Sequence, residues 1–417
     1  MHKFAHLADL HLGANREPEL KEWEITAFLK AMNICIEESV DFILISGDLF
    51  HANIPDMDVV NKAVKKIKQI LEHNIPIYVI YGSHDYSPNE TSIIDILHSA
   101  GLITKVVQAN IENEELKLQF ITDPKTDVKI TGLSGRRLGL EKDYFEILDK
   151  ESLEREKGFK IFAFHSAVAE LKPTYLARMD SIPASLLPKG FSYYAGGHIH
   201  EKLEGKLPDF KMINYPGPLF SGYPRDIEQF SKGKRRGFFI VHFNDEVEKV
   251  EFKEIRIVDP IYFEYDVSDK SSTQAKKELL NRLQELSVKD KLVVLKIKGE
   301  LSGGTTAEIN SNELRNLLYE KGALYISINK HSLSSKEIET MQIIGDDIQT
   351  IENNLFRENI GNIKISASKL KNNSGVKIAN ELLKTLRQEQ KLNEKKKDYE
   401  ERILKESISI LDIEGTS

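Results

Sequence analysis

Five short motifs of acidic residues and histidines occur in the first half of this chain. In order, they are Asp9-Leu10-His11, Gly47-Asp48, Gly82-Ser83-His84-Asp85, His165 and Gly197-His198-Ile199-His200. Each motif follows a run of apolar residues that predicts a buried strand, so each should lie at the carboxyl end of a strand. Carboxylate oxygens combined with imidazoles suit Mn²⁺, Fe²⁺ or Zn²⁺ rather than Ca²⁺. The motifs therefore predict a metal centre.

The set of side chains is large enough for two ions. Two metals about 3.5–4 Å apart can clamp a phosphoryl group, activate the attacking water and stabilise the leaving oxygen. Asp48 is the natural ligand to bridge them, because a carboxylate has two oxygens. We expect one ion to be held by Asp9, His11 and His200, and the other to be completed by Ser83, His165 and His198. His84 is then left as a non-ligand that can give a proton or a hydrogen bond to the departing oxygen.

Taken singly, these motifs carry little information. An Asp-x-His or a Gly-Asp pair occurs often by chance, and a lone buried histidine is more often a satisfied core residue than a ligand. All five motifs in this order, each at a predicted strand end, are together typical of a two-metal phosphodiesterase.

The elements that must position these motifs alternate between strand and helix. Strands are predicted over Phe4–Ala8, Asp41–Ser46, Ile75–Tyr81, Lys117–Phe120, Val128–Thr131, Lys160–His165, Ser192–Ala195, Gly237–Val241 and Val247–Ile255, and helices over Trp23–Glu38, Val59–Glu72 and Ile93–Ala100. This alternation predicts an α/β layered fold with much parallel pairing.

A second unit is predicted to begin near Asp259. Its strands are expected at Tyr262–Val267, Lys291–Lys298 and Ala323–Asn329, and its helices at Ser272–Leu286 and Glu313–Lys321. Two strand–helix–strand passages predict a small α+β domain.

The remaining residues have a different pattern. His331–Ser335 is polar and is expected to break the pattern, while Gly361–Gly375 is rich in Asn, Ser and Lys and resembles a linker. Apolar stripes within Val376–Gln390, and again after the charged run Glu394–Glu401, predict two amphipathic helices. We therefore divide the chain into residues 1–258, 259–330, 331–374 and 375–417.

The composition is that of an ordinary folded protein. The chain has 417 residues, 40% of them hydrophobic, and a single cysteine, Cys35, which excludes an intramolecular disulfide and a thiolate metal cluster. No apolar run approaches the roughly 20 residues of a membrane span, and no signal peptide fits before Asp9, so we expect a cytoplasmic protein without a membrane. The net charge of −7 lacks the basic footprint of nucleic-acid binding, although a carboxylate-rich metal site accounts for part of it.

The motif order resembles that of the calcineurin-like metallophosphoesterases. The chain is most similar to their SbcD/Mre branch of double-strand-break repair nucleases, especially archaeal ones. His51, three residues after Asp48, matches a histidine that in this family orients DNA for exonuclease work. Asn214-Tyr215-Pro216-Gly217-Pro218 looks like the family's Tyr-Pro-Gly turn, and the domain at 260–330 looks like its DNA-contacting cap. The resemblance in sequence covers residues 1–330. Beyond them, only the arrangement of a linker followed by helices resembles the family.

The resemblance implies a four-layer β-sandwich flanked by helices, with a small α+β cap and C-terminal helices. It implies a DNA exonuclease and endonuclease that uses two Mn²⁺ ions, or other divalent metals, to process double-strand-break ends. Asp85 is expected to lie behind the ligands and support them. Partners would be DNA ends, an SMC-like ATPase of the SbcC/Rad type bound by the C-terminal helices, and a second copy of the chain, with a nucleoid-associated location. Ala27–Ile36 and Val59–Ile70 could supply the apolar face of the homodimer.

Ser83 departs from the family pattern, which usually has asparagine at this position with its amide carbonyl on the metal. A serine hydroxyl is shorter and a poorer neutral donor. It either ligates directly or leaves a gap for water, and we predict weaker affinity at one site rather than a dead enzyme.

A basic cluster at Lys232, Lys234, Arg235 and Arg236 has two interpretations. It could contact DNA phosphates, with salt-dependent affinity, or form a solvated hairpin. Arg136-Arg137 is a similar, weaker case.

Three other functions remain open. A cyclic-nucleotide or other small phosphodiester hydrolase uses the same five motifs, but it has no need of His51, a cap or C-terminal helices. A calcineurin-type protein phosphatase carries Gly-Asn-His-Glu rather than an aspartate at position 85. A non-catalytic DNA-end scaffold would have a decayed site, for which Ser83 is the only support.

Overall fold

The structure is a computed structural model that describes residues 1–85, 91–136, 139–336, 352–353, 356–357, 360, 370, 372–391, 394 and 396–411. Its strands are β1 (His2–Leu7), β2 (Phe42–Ser46), β3 (Ile77–Ile80), β4 (Thr104–Lys105), β5 (Ala109–Glu112), β6 (Glu115–Leu118), β7 (Ile121–Thr122), β8 (Lys129–Leu133), β9 (Lys160–His165), β10 (Ala167–Val168), β11 (Ser181–Ile182), β12 (Tyr193–Gly197), β13 (Leu203–Leu207), β14 (Phe210–Tyr215), β15 (Gly237–Phe243), β16 (Val247–Glu254), β17 (Asp259–Asp266), β18 (Lys291–Leu301) and β19 (Tyr325–Ser335). Its helices are α1 (Pro18–Glu37), α2 (Met57–Glu72), α3 (Ile93–Ser99), α4 (Glu141–Glu146), α5 (Lys150–Arg155), α6 (Pro224–Ser231), α7 (Ser272–Glu285), α8 (Ser311–Glu320), α9 (Asn372–Leu386) and α10 (Lys396–Leu411).

Two six-stranded sheets form the body of the protein, in the orders β16-β15-β1-β2-β3-β4 and β13-β14-β12-β9-β8-β7. The central strands β1 to β4 are parallel to one another, as are β8, β9, β12 and β14. Because side chains alternate along a strand, each sheet buries one face against the other sheet and the opposite face under helices.

Three apolar clusters separate these layers. The cluster between the sheets contains Phe4 and Phe42 from one sheet and Ile161 and Tyr193 from the other. A second cluster packs α1, α2 and α3 against the first sheet, and a third packs α4 and α5 against the second sheet. The predicted α/β sandwich of four layers is therefore confirmed.

The ends of several elements differ from the prediction. α1 begins at Pro18 rather than Trp23, because a proline at the first helical turn has its φ already set. β6 is not a strand of either large sheet but pairs with β5 in a hairpin. The predicted break at His331–Ser335 is wrong, since β19 runs to Ser335 beside β18, which has the same length of 11 residues.

The apolar faces proposed for a homodimer lie inside the protein. Ala27, Phe28 and Ala31 of α1 and Val59 and Ile67 of α2 all belong to the core beneath the first sheet. Residues Ala27–Ile36 and Val59–Ile70 therefore do not supply a free apolar face. The exposed apolar side chains of this region are instead Ile54, Met57 and Ile96.

The chain forms two compact units, residues 1–299 with 307–333 and residues 300–306 with 334–417. The first unit includes all but the last two residues of β18 and of β19 in the three-stranded sheet β17-β18-β19, in which β17 and β18 are parallel. Its helices α7 and α8 contact each other and bury Leu279, Leu283, Leu314 and Leu318. The predicted strand–helix order is present here, while the division at residue 258 stays a prediction.

In the second unit, α9 and α10 pack against each other. Gln388 donates a hydrogen bond to Glu406 at 2.9 Å, and Arg402 pairs with Glu394 at 2.8 Å. α9 begins at Asn372, so the linker prediction is wrong for residues 372–375; residues 361–369 and 371 lie outside the described part. No helix of the described residues is long and apolar enough to cross a membrane.

Candidate metal centre

The loops that follow β1, β2, β3, β9 and β12 meet at one edge of the two sheets. Asp9, His11, Asp48 and His198 all have positive φ, between 45° and 85°. This conformation is uncommon for residues with a side chain and often marks a functional site. The amide of Asp9 donates to the carbonyl of Gly47 at 3.1 Å, and that of His11 donates to the carbonyl of Asp48 at 2.9 Å. The loops thus hold one another in place and bring the predicted ligands together.

Asp9, His11 and His200 form one group of possible metal ligands. The Nε2 atoms of His11 and His200 are 3.0 Å apart, and His200 Nε2 is 3.9 Å from Asp9 Oδ1. His200 Nδ1 donates to Asp226 Oδ2 at 2.9 Å, so its Nε2 keeps a lone pair directed into the group. These are the three side chains that the sequence predicts for the first ion.

Asp9, Asp48 and His165 form a second group beside the first. His165 Nε2 is 3.2 Å from Asp48 Oδ2 and 3.9 Å from Asp9 Oδ1. His165 Nδ1 donates to the carbonyl of Ser46 at 2.8 Å, which directs Nε2 toward the two carboxylates.

Asp48 lies between the two groups, with its Oδ2 also 3.5 Å from His11 Nε2. Ser83 Oγ is 3.5 Å from the same oxygen, and the ring of His198 is 5.2 Å from that of His165. The structure therefore brings all seven predicted ligand positions together, with Asp48 where a bridging ligand is expected.

Two buried atoms in this centre are poorly satisfied among the described residues: Asp9 Oδ2 has no hydrogen-bond partner, and His165 Nε2 has only its 3.2 Å approach to Asp48 Oδ2. Leaving such polar atoms unpaired inside a protein is costly, and they usually have a partner. A divalent cation would coordinate both atoms. The donor set of carboxylate oxygens and imidazole nitrogens thus fits the metal centre predicted from the sequence.

The electrostatics also favour a cation here. Burial opposes the charged form of His165, but the charges of Asp48 and Asp9 outweigh it and raise its pKa to about 10. Burial lowers the pKa of His198 to about 3 and holds the pKa of His11 well below its usual range. The two neutral imidazoles offer lone pairs, and the carboxylates attract positive charge at the place where they converge.

Close packing around the centre requires glycine at two positions. A Cβ on Gly82 would lie 2.1 Å from Asp48 Oδ1 and 2.3 Å from the Asp48 amide nitrogen. A Cβ on Gly222 would lie 2.6 Å from the His11 ring. Any side chain at these positions would displace a ligand.

His84 and His51 lie beside the ligands. The amide of His84 donates to Asp48 Oδ1 at 2.8 Å, and its Nδ1 donates to the carbonyl of His51 at 2.8 Å. The two imidazole rings stack at 4.7 Å, and His51 Nδ1 is 3.4 Å from His11 Nδ1. Burial lowers the pKa of His51.

Asp85 is fully buried behind the ligands, as expected. It accepts hydrogen bonds from the amides of Gly82, Phe50 and Leu49, at 3.0, 3.1 and 3.3 Å. Burial and the nearby charge of Asp48 raise its pKa to about 7. Asp85 thereby ties the loop after β3 to the loop after β2.

Three supporting residues were not predicted. Asp226 accepts from His200, and its Oδ2 also accepts from the amides of Gly222 and Tyr223 at 2.9 Å. The hydroxyl of Tyr223 lies 2.6 Å from His84 Nε2. Glu24 is buried and accepts a 2.8 Å hydrogen bond from Asn15, close to the Asp9-x-His11 loop. The helix-start signal Pro224 and Asp226 could have drawn attention to α6.

Arg236 corrects one prediction. It is 1% exposed, so it does not contact DNA phosphates. Its guanidinium instead donates to the carbonyl of His200 at 2.8 Å and to that of Asp226 at 2.6 Å. The polar run predicts a surface position for the whole basic cluster, but packing turns this side chain inward.

The other members of the cluster are partly exposed and paired. Lys232 pairs with Glu228 at 2.5 Å, Lys234 pairs with Glu201, and Arg235 pairs with Glu254 at 2.7 Å. Arg136 lies over the Tyr144 ring at 4.1 Å, while Arg137 lies outside the described residues.

Comparison with known proteins extends this result. Residues 2–202 match the family described as Calcineurin-like phosphoesterase. They belong to that family. The chain is 28% identical to the "DNA double-strand break repair protein Mre11" of Archaeoglobus fulgidus over 320 residues, covering 71% of this chain and 68% of that protein. It is 28% identical to the Sulfolobus acidocaldarius protein of the same name, covering 82% and 88%. The Methanocaldococcus jannaschii protein of that name is 29% identical, covering 71% and 77%.

These likenesses extend past the residues that match the phosphoesterase family. Among solved structures, TT1561 of Thermus thermophilus matches with a TM-score of 0.38 and 12% identity, covering 61% of this chain and 99% of that one. The family and the cluster of ligands together make the chain a metal-dependent phosphodiesterase, a hydrolase.

Proposed function

We propose that this Mre11-type protein is a Mn²⁺-dependent DNA exonuclease and endonuclease that processes double-strand-break ends together with an SMC-like ATPase. The observation that carries the proposal is the pair of adjoining ligand groups that share Asp9, with Asp48 between them. The names of the archaeal relatives supply the substrate, broken DNA.

The two ions, when bound, supply the positive charge that stabilises a phosphoryl group under attack and activates a water. Asp9, His11, Asp48 and His200 would hold the first, and Asp48, Ser83, His165 and His198 the second. Both His165 and His200 are kept in the required tautomer by an acceptor on Nδ1, the Ser46 carbonyl and Asp226 respectively.

His84 is the proposed proton or hydrogen-bond donor to the departing oxygen. Its backbone amide is bonded to Asp48, so its ring is tied to the proposed bridging ligand. We further propose that His51, stacked on the His84 ring and half-buried, orients DNA for exonuclease work. We also propose that the three-stranded sheet β17 to β19, with α7 and α8, is the DNA-contacting cap.

Exposed apolar side chains form the proposed surfaces for partner proteins. The helices α9 and α10 expose Leu386, Leu404 and Ile408, which suits docking onto an apolar surface of the ATPase. Ile54, Met57 and Ile96 are exposed near the start of α2 and on α3, which suits contact with a second copy of the chain. A protein acting on breaks in chromosomal DNA would be associated with the nucleoid in the cytoplasm.

Hydrolysis of a linear duplex, a DNA hairpin and bis-p-nitrophenyl phosphate with Mn²⁺ tests the proposed activity. We expect all three to be cleaved, and expect Asp48→Asn, which keeps the size of the side chain but removes the charge of the proposed bridging ligand, to cleave none, with its folding checked by circular dichroism. Cleavage of the small ester alone would favour a small phosphodiester hydrolase. No cleavage of any substrate would favour a non-catalytic scaffold.

Ser83 offers a test of the second ion. Its Oγ is 3.5 Å from Asp48 Oδ2, which is long for a hydrogen bond, so the hydroxyl is weakly held. We expect Ser83→Asn to restore an amide carbonyl ligand and lower the Mn²⁺ concentration needed for half-maximal ester hydrolysis. Ser83→Ala is the control and should raise it. An unchanged Mn²⁺ requirement in Ser83→Asn would contradict the weaker-site hypothesis.

A further inference from the structure

Tyr223 lies outside all five motifs, yet its hydroxyl is the hydrogen-bond partner of His84 Nε2 at 2.6 Å. The residue lies between β14 and α6, directly before the first residue of α6. It is close in space to His84 because α6 begins at the edge of the sheets where the motif loops meet. Nothing in the motif pattern points to it.

The hydrogen bonds around His84 define its orientation. Its Nδ1 faces the carbonyl of His51 at 2.8 Å, and a carbonyl oxygen only accepts, so Nδ1 carries a proton. In the neutral ring, Nε2 then accepts from the Tyr223 hydroxyl; in the charged ring, Nε2–H donates to it. Either way the imidazole is held at both nitrogens and cannot turn without breaking a hydrogen bond.

Tyr223 is itself held firmly. Its amide donates to Asp226 Oδ2 at 2.9 Å, and its carbonyl accepts from Ser221 Oγ at 3.0 Å. Its ring packs beside those of His11 and His200, with centroids 5.6 and 5.4 Å away. The carboxylate that orients His200 therefore also fixes the backbone of Tyr223.

We infer that Tyr223 is a positioning residue for His84, and that its hydroxyl holds Nε2 aimed at the oxygen that leaves the phosphorus. This inference rests on the proposed role of His84 as the donor to that oxygen. The oxygen of a water that has lost a proton to solvent bonds to phosphorus as the P–O bond to the leaving group breaks. The leaving oxygen takes the proton of the charged His84 Nε2, which until then is shared with the Tyr223 hydroxyl oxygen. His84 is left neutral, and Tyr223, which keeps its own proton, donates a hydrogen bond to the vacated Nε2.

The role has a signature that depends on the leaving group. Proton donation matters when a basic alkoxide or phenolate must leave, and matters little for a weakly basic nitrophenolate. Loss of the Tyr223 hydroxyl should therefore slow hydrolysis of esters with a basic leaving group and leave hydrolysis of nitrophenyl esters nearly unchanged. A tyrosine that only supported the metal ligands would affect both kinds equally.

The test is Tyr223→Phe, which keeps the ring packing and removes the hydroxyl. We expect kcat with Mn²⁺ to fall about tenfold for a phenyl ester of thymidine 5′-phosphate, the worth of one well-placed hydrogen bond, with KM unchanged. On bis-p-nitrophenyl phosphate, we expect a change of less than about twofold. Tyr194→Phe is the matched control, because the hydroxyl of Tyr194 donates to the carbonyl of Pro188 at 2.8 Å, away from the metal centre, and its loss should leave both rates unchanged.

A double-mutant cycle separates the possibilities. In a His84→Gln background, adding Tyr223→Phe should have no further effect on the phenyl ester. Equal losses on both esters, no loss on either, or a further loss without His84 would each overturn the inference. If the wild-type protein with Mn²⁺ cleaves neither ester, the proposed function fails instead.

Discussion

Asp226→Asn is the most informative single change to the surroundings of the metal centre. The asparagine has the same shape, and its amide oxygen can take the place of Oδ2 as an acceptor, but it removes a charge that is 4% exposed. That charge faces His200 Nδ1 at 2.9 Å and the Arg236 guanidinium at 4.0 Å. The change therefore isolates the electrostatic contribution of Asp226 from its packing.

The magnitude follows from the surroundings of the carboxylate. Burial opposes the charged form, but His200 and then Arg236 outweigh it and lower the pKa of Asp226 from 3.8 to about 2. At about 1.4 kcal/mol per pKa unit, this difference is worth about 2 kcal/mol of folding stability in the metal-free protein. Because the pKa is lowered by folding, this stability is present above pH 3.8 and is lost as the pH falls toward 2.

Metal affinity should change as well. A carboxylate behind a ligating histidine raises its basicity, and removing such a partner typically weakens metal binding about 10- to 100-fold. We expect Asp226→Asn to raise the Mn²⁺ concentration for half-maximal hydrolysis of bis-p-nitrophenyl phosphate by that factor. At saturating Mn²⁺, kcat should change much less, because His200 still ligates.

The measurements are a Mn²⁺ titration of ester hydrolysis and urea unfolding of the metal-free protein at pH 7. Asp245→Asn, at an exposed position in the turn between β15 and β16, is the control and should leave both unchanged. An unchanged Mn²⁺ requirement in Asp226→Asn would refute the reasoning that Asp226 acts through His200. A loss of kcat at saturating Mn²⁺ with unaltered affinity would do the same.

Two further predictions concern the residues around the ligands. Gly82→Ala should lower kcat/KM for bis-p-nitrophenyl phosphate by at least about 100-fold with the fold retained by circular dichroism, since its Cβ would lie 2.1 Å from Asp48 Oδ1. Gly190→Ala is the control for activity, because its Cβ would meet open space; its φ of 75° makes the change cost stability but should leave kcat/KM unaltered. Near-normal activity of Gly82→Ala would contradict the packing argument. Burial lowers the pKa of His6 from 6.5 to about 3, so the unfolded chain takes up a proton first and His6 should contribute a loss of stability of about 1.4 kcal/mol per pH unit as the pH drops from 6.5 toward 3. His198 and His11 titrate in the same direction, so chemical unfolding across this range should show a slope in the wild type that is steeper than that in His6→Gln by about this amount. Equal slopes would show that His6 does not contribute.

Much of the site was predictable because its determinants are local. β9 was predicted to the residue, and His165 follows from its end. The five motifs could be read as one site because parallel strands place their carboxyl ends at a shared edge. The ligand types, their order along the chain and the family resemblance could all be read from the sequence without interatomic distances.

Other features depend on partners that are remote in the sequence. β19 continues through polar residues because β18 offers a backbone ladder of equal length, and hydrogen bonding of a ladder does not require apolar side chains. Arg236 lies in a basic run that resembles a surface, yet its guanidinium is buried against carbonyl oxygens. The apolar faces of α1 and α2 look the same whether they cover a core or bind a second subunit.

The sequence by itself determined which groups could bind metal, since residue type sets ligand chemistry and strand ends set their placement. Only the tertiary structure decided which atoms meet. His11 and His200 are 189 positions apart in the chain, and their Nε2 atoms lie 3.0 Å apart only because the two sheets pack face to face. The same packing brings Tyr223 and Asp226 to the histidines. Such contacts arise from long-range burial and hydrogen bonding, which no local pattern encodes.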